Sequence, residues 1–116
     1  MKYLCLIYQD ESLREKKPKA ELDKIFAEYR GFTDDIKRNG NFVGGNALQP
    51  TRTATTVRVR NGTMATIDGP FAETKEQLGG YYLVDAKDLS EAVQLAARIP
   101  AARYGSVEVR PIMEIE

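Results

Sequence analysis

Four ionisable side chains fall within nine residues, and they form the densest group of chemically capable residues in the chain: Asp68, Glu73, Lys75 and Glu76. A carboxylate whose pKa is raised by burial can serve as a general base, and a basic side chain can hold an anionic substrate. The stretch therefore predicts proton-transfer chemistry of the lyase or isomerase kind, with Asp68 or Glu73 as base and Lys75 or Arg110 as anion-binding group. A charged surface loop has the same composition, so both interpretations stay open.

The chain contains no histidine and a single cysteine, Cys5. Without imidazole, Ser-His-Asp and Cys-His catalysis are excluded, and so are zinc sites built from cysteine and histidine. The acidic residues do not follow the ordered spacing of a magnesium or calcium site. We therefore expect no metal and no cofactor, and we expect Cys5, which lies in an apolar run, to be buried and inert.

The residues Asp68-Gly69-Pro70 must turn the chain, because Gly-Pro cannot continue a strand. The Asp68 side chain can then either cap nearby backbone amides or point into a pocket. Phe71 follows this turn, and an aromatic ring at such a position predicts burial against the core. A buried Phe71 would hold the neighbouring carboxylates in fixed positions.

Two runs, 2–8 and 80–85, are apolar on both alternating faces, which is typical of strands covered on both sides. Weaker edge strands are predicted over 42–48 and 106–112. Within the first of these, Gly44-Gly45 indicates a bulge or a close backbone approach. This glycine pair lacks the spacing of a phosphate-binding loop.

Two amphipathic helices are predicted between these strands. The first begins after Pro18 and ends near Asn39, and the second begins at Asp88, which has capping-box spacing, and ends at Pro100. The first helix carries an aromatic stripe at helical spacing, which favours core packing over a ligand-binding role. The stripe consists of Phe26, Tyr29 and Phe32.

A β-hairpin is predicted over 55–67, because Asn61-Gly62 separates two alternating runs and suits a two-residue primed turn. Arg58 and Arg60 lie together on its polar face. They either bind an anion or are simply solvated.

Without the hairpin, the order strand, helix, strand, strand, helix, strand predicts a ferredoxin-like βαββαβ plait of the α+β class, in a single domain over 1–116. The first and third main strands of this plait are central, in agreement with the two doubly apolar runs. Two helices cover one face of the sheet only, so the other face is expected to form a homodimer by sheet-to-sheet packing.

The charge and hydropathy of the chain exclude some classes of binding partner. Seventeen basic and seventeen acidic residues cancel, so no overall field attracts nucleic acid or an anionic membrane. No apolar run approaches the roughly 20 residues that cross a bilayer. The expected partners are a small molecule and a second copy of the chain, and the expected location is the cytoplasm.

Several segments resemble the DGPF (DGPFAETKE) branch of the YCII-related proteins. They are Met1-Lys2-Tyr3-Leu4, Ile7-Tyr8, Phe42-Val43-Gly44-Gly45, Ala47-Leu48, the run from Asp68 to Tyr82, and the run from Gly105 to Pro111. The resemblance implies a dimeric α+β barrel around a pocket. The His-Asp pair of related proteins has no counterpart in a chain without histidine.

Two functions follow as expectations. The first is small-molecule binding, with Arg110, Tyr81 and Tyr82 as ligand-binding residues. If the protein is an enzyme, Asp68, Glu73 and Lys75 are its expected catalytic residues. The alternative is a non-catalytic regulatory protein that binds a transcription regulator, since genes of the resembling branch often lie beside extracytoplasmic-function sigma factors.

Overall fold

The structure is a computed structural model that describes residues 1–115. Its elements, in chain order, are β1 (Lys2–Gln9), α1 (Glu11–Glu15), α2 (Lys19–Arg38), β2 (Phe42–Ala47), β3 (Thr55–Arg60), β4 (Thr63–Asp68), β5 (Gln77–Asp85), α3 (Leu89–Ala97) and β6 (Ser106–Pro111). Single 3-10 turns lie at Thr51–Thr53 and Pro100–Arg103. Each predicted helix and strand is present.

The main sheet has four antiparallel strands in the order β2-β5-β1-β6. The two doubly apolar runs are thus the central strands, and the two weaker runs are the edges. This order is that of a ferredoxin-like plait, so the predicted α+β fold class is confirmed. The register places Cys5 opposite Tyr82 on one side and Val109 on the other.

The core lies between the helices and one face of this sheet. Tyr3, Cys5 and Ile7 of β1 point into it and are buried, together with Ile36 of α2 and Val84 of β5. The alternate residues of the central strands point to the opposite, open face. Leu4, Leu6 and Leu83 are half-buried there, and no helix within residues 1–115 packs over them.

Helix ends follow from local capping. Asn39 is the C-terminal cap of α2, and Gly40 leaves that helix with a left-handed φ of 79°. The Asp88 carboxylate accepts a hydrogen bond of 2.9 Å from the Glu91 amide at the start of α3. Both ends lie where the sequence predicted them.

Strands β3 and β4 form a separate two-stranded hairpin. Its turn has positive φ at both central residues, 52° at Asn61 and 76° at Gly62, as a primed turn requires. Nearly every hairpin side chain is exposed. The radius of gyration is 16.2 Å, against about 13 Å for a compact domain of this length, which fits a chain with a projecting arm.

None of the helices in residues 1–115 combines the length and the apolar character needed to cross a membrane.

Candidate functional site

The charged stretch singled out from the sequence follows the base of the hairpin. Asp68 ends β4 with an exposed side chain, and Gly69 turns the chain with a φ of 106°. The turn is held by backbone atoms: the Gly69 amide donates to the Ala54 carbonyl at 2.7 Å, and the Thr56 hydroxyl donates to the Gly69 carbonyl at 2.9 Å. Within residues 1–115 the Asp68 carboxylate makes no hydrogen bond, so it does not cap the turn. It lines neither the groove nor the cavity described below.

The expectation that Phe71 is buried is wrong, since 76% of its side chain is exposed. Its ring packs instead against the Arg58 guanidinium, whose central carbon lies 5.5 Å from the ring centroid. The segment after the turn is therefore attached to the hairpin arm and not to the core. Glu73 is exposed in the same segment.

Lys75 lines an open groove between α1 and the 3-10 turn at Thr51–Thr53, and neither Asp68 nor Glu73 lines that groove. The acidic groups of this groove already have partners. Glu11 accepts from the Thr51 amide at 2.9 Å and from its hydroxyl at 2.8 Å, and Glu15 pairs with Arg52 at 3.0 Å. Asp68, Glu73 and Lys75 as catalytic residues stay a prediction, because one chain does not gather them in one cavity.

Arg110 and Tyr81 project toward the open face of the sheet. Arg110 is exposed and pairs with Glu108, two residues earlier on β6, at 2.6 Å. The Tyr81 hydroxyl accepts a hydrogen bond of 2.8 Å from the Asn46 side chain on β2. Arg110 does not line the cavity described below, whereas Tyr81 contributes to its rim.

A partly open cavity of about 360 Å³ lies on the other face, between α2 and strands β2 and β5. This volume falls in the range of small-molecule sites. The walls are largely apolar and aromatic, and polar side chains converge on the space from four elements. Its lining residues are Ile7, Gln9, Arg14, Ile25, Phe26, Tyr29, Thr33, Lys37, Phe42, Gly45, Asn46, Ala47, Gly79, Gly80, Tyr81, Tyr82 and Tyr104.

Glycine at position 45 lets β2 come close to β5 at the floor of the cavity. A Cβ on Gly45 would lie 2.9 Å from the Tyr81 carbonyl oxygen and 3.0 Å from a ring carbon of Tyr82. The β2 strand carries a bulge between Phe42 and Gly44 and comes close to β5 at this point, as the glycine pair predicted. A side chain larger than hydrogen at Gly45 would displace the Tyr82 ring.

A chain of hydroxyl groups crosses the cavity wall. The Thr33 hydroxyl donates to the backbone carbonyl of Tyr29 at 2.8 Å, and it lies 2.7 Å from the Tyr82 hydroxyl. Because the single Thr33 proton is used on the carbonyl, Tyr82 must donate to Thr33. The remaining capacity of the Tyr82 oxygen is therefore that of an acceptor.

Burial raises the pKa of both Tyr29 and Tyr82 above the ordinary tyrosine value. For Tyr29 the neighbouring Tyr104 phenol adds to this effect. Both phenols are therefore protonated at neutral pH, and they serve as hydrogen-bonding groups and not as bases.

Gln9 is the buried polar side chain of the site. Only 8% of the residue is exposed, and its amide makes no hydrogen bond to any group in residues 1–115. No fully buried side-chain nitrogen or oxygen within residues 1–115 lacks a hydrogen-bond partner, so the polar atoms of this amide reach the open space of the cavity. An amide with free donor and acceptor capacity in a cavity wall is suited to bind a ligand.

The interpretation of the aromatic stripe on α2 as core is wrong for part of the stripe. Phe32 is buried and stacks edge-on against Tyr82, with ring centroids 5.2 Å apart. Phe26 is 44% exposed, and it lines the cavity together with half-buried Tyr29. Periodicity identifies the face of a helix that turns inward, but it does not show whether the opposing sheet fills the space.

Sequence reasoning missed Gln9 and Thr33. The signal that could have found them is the combination of a polar residue on an inward face with glycines on the strands opposite. Thr33 shares the apolar stripe of α2, and Gln9 continues the inward alternation of β1 beyond Ile7.

Comparison with known proteins places the chain in a family. The family model described as YCII-related domain matches residues 1–116. The chain belongs to the YCII-related domain family. A relative from Rhizobium meliloti (strain 1021), the uncharacterized protein R00369, is 38% identical over 114 residues, which cover 97% of this chain and 92% of the relative.

A solved structure has a similar fold. It is the 5-chloro-2-hydroxyhydroquinone dehydrochlorinase TftG of Burkholderia phenoliruptrix AC1100, in complex with 2,5-dihydroxybenzoquinone. The TM-score is 0.52 at 14% sequence identity, and the match covers 97% of this chain and 94% of TftG. At this level of identity the likeness concerns the fold.

Proposed function

We propose that this YCII-related protein binds a small organic molecule in the cavity between α2 and the sheet, as one half of a homodimeric α+β barrel. The observation that carries the binding function is a cavity of about 360 Å³ whose wall includes the unpartnered amide of Gln9, a residue that is only 8% exposed. The glycine floor and the free acceptor on Tyr82 support it, since both belong to the same cavity. TftG, which shares the fold, has a solved structure in complex with 2,5-dihydroxybenzoquinone, a small cyclic molecule.

A thermal-shift screen against metabolites tests this function. A ligand specific to the native state, at about 100 times its Kd, stabilises the protein by roughly 2.7 kcal/mol. The matched pair of variants is Ala47→Trp, which fills the cavity mouth, and Ala27→Trp, which lies on the exposed side of α2. Hits should disappear in Ala47→Trp and persist in Ala27→Trp. Hits that survive equally in both variants would place binding elsewhere.

The homodimer is proposed from the open face of the sheet. Leu4, Leu6 and Leu83 lie there with no helix packed over them, and an exposed apolar face is typical of an interface. Light scattering should give twice the chain mass of 13.0 kDa. Leu4→Lys should shift the protein to monomer, whereas Leu13→Lys, on exposed α1, should leave the mass unchanged. A parent protein that is monomeric at micromolar concentration refutes the barrel.

Membership of the DGPF branch is part of the same proposal, and the run from Asp68 to Tyr82 supports it. A lyase or isomerase activity would need Asp68 or Glu73 as base. Neither residue lines the cavity of its own chain, so such an activity would require these carboxylates to reach a second copy.

A regulatory role through a transcription factor of the extracytoplasmic-function type is the second candidate. The observation that favours it is the exposed apolar face of the hairpin, where Val57, Val59 and Met64 lie together. Binding of a purified sigma factor of this type, weakened by Val59→Lys, would support it. Binding that Val59→Lys leaves unchanged would argue against the hairpin as the contact.

A further inference from the structure

We infer that the ligand of the cavity is an elongated organic anion, with an apolar body, a carboxylate at one end and a hydroxyl donor about 10 Å away. This inference rests on the proposed binding function and adds the chemical class of the ligand. It follows from the charges around the cavity, from the hydrogen bonds already used within the protein, and from the spacing of the groups along α2.

The lining charges all have one sign. Arg14 and Lys37 contribute to the wall, and the lining within residues 1–115 contains no aspartate or glutamate. The chain as a whole carries no net charge, so a cavity with two cations and no carboxylate is a local departure. None of the ion pairs formed within the described residues involves Arg14 or Lys37. A bound anion would supply the missing opposite charge.

The two cations lie toward opposite ends of the cavity. The Arg14 guanidinium stacks over Phe26, 5.4 Å from the ring centroid, and the Lys37 ammonium lies over Phe42 at 5.0 Å. Phe26 and Lys37 are eleven residues apart on α2, which corresponds to about 16 Å along the helix axis. A small ligand with a single charged end can therefore contact only one of these two cations.

Arg14 is the better carboxylate site. Its side chain is half-buried whereas Lys37 is exposed, and a guanidinium binds a carboxylate through two parallel hydrogen bonds. Gln9 lies toward the same end, because β1 ends at Gln9 and α1, which carries Arg14, begins two residues later. Its unpartnered amide can donate to the same carboxylate.

The position of the ligand's hydroxyl follows from Tyr82. The Tyr82 proton is used on Thr33, so its oxygen is left as an acceptor that a ligand donor can satisfy. Thr33 is seven residues beyond Phe26 on α2, about 10 Å along the axis. The aromatic and aliphatic walls between these levels suit a flat apolar body, and 4-hydroxycinnamate has this arrangement of groups.

The test compares three probes by isothermal titration calorimetry on the full-length protein at neutral pH. They are 4-hydroxycinnamate, cinnamate, which lacks the donor, and 4-hydroxycinnamamide, which lacks the charge. We expect 4-hydroxycinnamate to bind about tenfold more tightly than either of the others. Each of the others lacks one hydrogen bond or one charge contact, and a single interaction of this kind changes the affinity by about a factor of ten. An amide that binds as tightly as the acid, or no binding of the acid at millimolar concentration, overturns the inference.

Variants assign the two ends. Arg14→Gln should weaken the binding of 4-hydroxycinnamate about tenfold and leave the binding of the amide unchanged. The control is Lys24→Gln, which also removes one positive charge but lies outside the cavity, and it should leave the binding of both probes unchanged. Tyr82→Phe keeps the ring, and it should weaken 4-hydroxycinnamate and leave cinnamate unchanged. Circular dichroism verifies the fold of each variant. An Arg14→Gln protein that is folded and binds the acid like the parent refutes the assignment.

The outcome separates this inference from the binding function. If the metabolite screen yields neutral or cationic ligands that Ala47→Trp abolishes, the cavity is a binding site and the anionic class is wrong. If Ala47→Trp abolishes nothing, the binding function itself fails.

Discussion

Replacing Gly45 with alanine places a methyl group against the central strand of the cavity floor. The new Cβ would lie 2.9 Å from the Tyr81 carbonyl oxygen and 3.0 Å from a ring carbon of Tyr82. Strand β5 is paired on both sides, with β1 and with β2, so its backbone cannot withdraw freely. The strain must therefore appear as a loss of stability or as a shifted Tyr82 ring.

The size of the effect can be worked out. Overpacking of this kind costs about 1–3 kcal/mol, and the loss of glycine's freedom from the unfolded chain offsets about 0.4–1 kcal/mol. We expect a net loss of about 1–2 kcal/mol in the free energy of unfolding. With an unfolding entropy of about 2.1 cal/mol/K per residue, this lowers the Tm by about 4–8 °C.

The neighbouring residue supplies the control. A Cβ on Gly44 would meet no atom within 4 Å, so Gly44→Ala should keep or raise the Tm. Calorimetric melting of both variants, at the same protein concentration, compares them directly. A Gly45→Ala protein that melts at or above the temperature of Gly44→Ala would refute the close approach of β2 and β5.

Three further substitutions have defined outcomes. Gly62→Val forces a β-branched residue to a φ of 76°, so it should lower the free energy of unfolding by about 1–3 kcal/mol. Thr63→Val, in the adjacent strand position, should leave it nearly unchanged, and equal melting temperatures of the two variants would argue for a looser turn. Burial raises the pKa of Cys5 from 9.0 to about 11, so the thiol's contribution to the free energy of unfolding is present below pH 9 and is lost as the pH rises toward 11. The Tm should therefore fall less steeply over this pH range in Cys5→Ala than in the parent, and identical slopes would contradict the shift. Asp68→Asn should melt like the parent, since the carboxylate is exposed and makes no hydrogen bond within residues 1–115; if it also binds and turns over a screened ligand like the parent, Asp68 is not a catalytic base.

The candidate site shows where prediction from the sequence reaches its limit. The residues Tyr81 and Tyr82 were named as ligand-binding groups; Tyr82 faces the cavity, whereas the Tyr81 side chain points to the open face of the sheet and the residue only borders the cavity. The charged residues of the Asp68 stretch were named for their chemistry, but Asp68 and Glu73 are exposed beside the hairpin and Lys75 lies in the open groove beside α1. Composition shows which side chains can react, and it does not show which of them the fold brings together.

The secondary structure was determined by the sequence itself, because its causes are local. Alternation placed the central strands, the Asp88 capping pattern started α3, and Asn61-Gly62 set the hairpin turn. The order of elements then left few topologies, and the observed strand order is the one that buries both doubly apolar strands.

The cavity was decided only by the tertiary structure. Whether Phe26 and Tyr29 fill a core or line a space depends on the volume opposite them, and the glycines that border this volume, Gly45, Gly79 and Gly80, lie 16 to 54 residues away in the chain. Likewise, Phe71 is exposed because its segment follows the projecting hairpin and not the sheet. The burial of a side chain at such a position depends on which segment packs against it, and the sequence around the residue does not specify that segment.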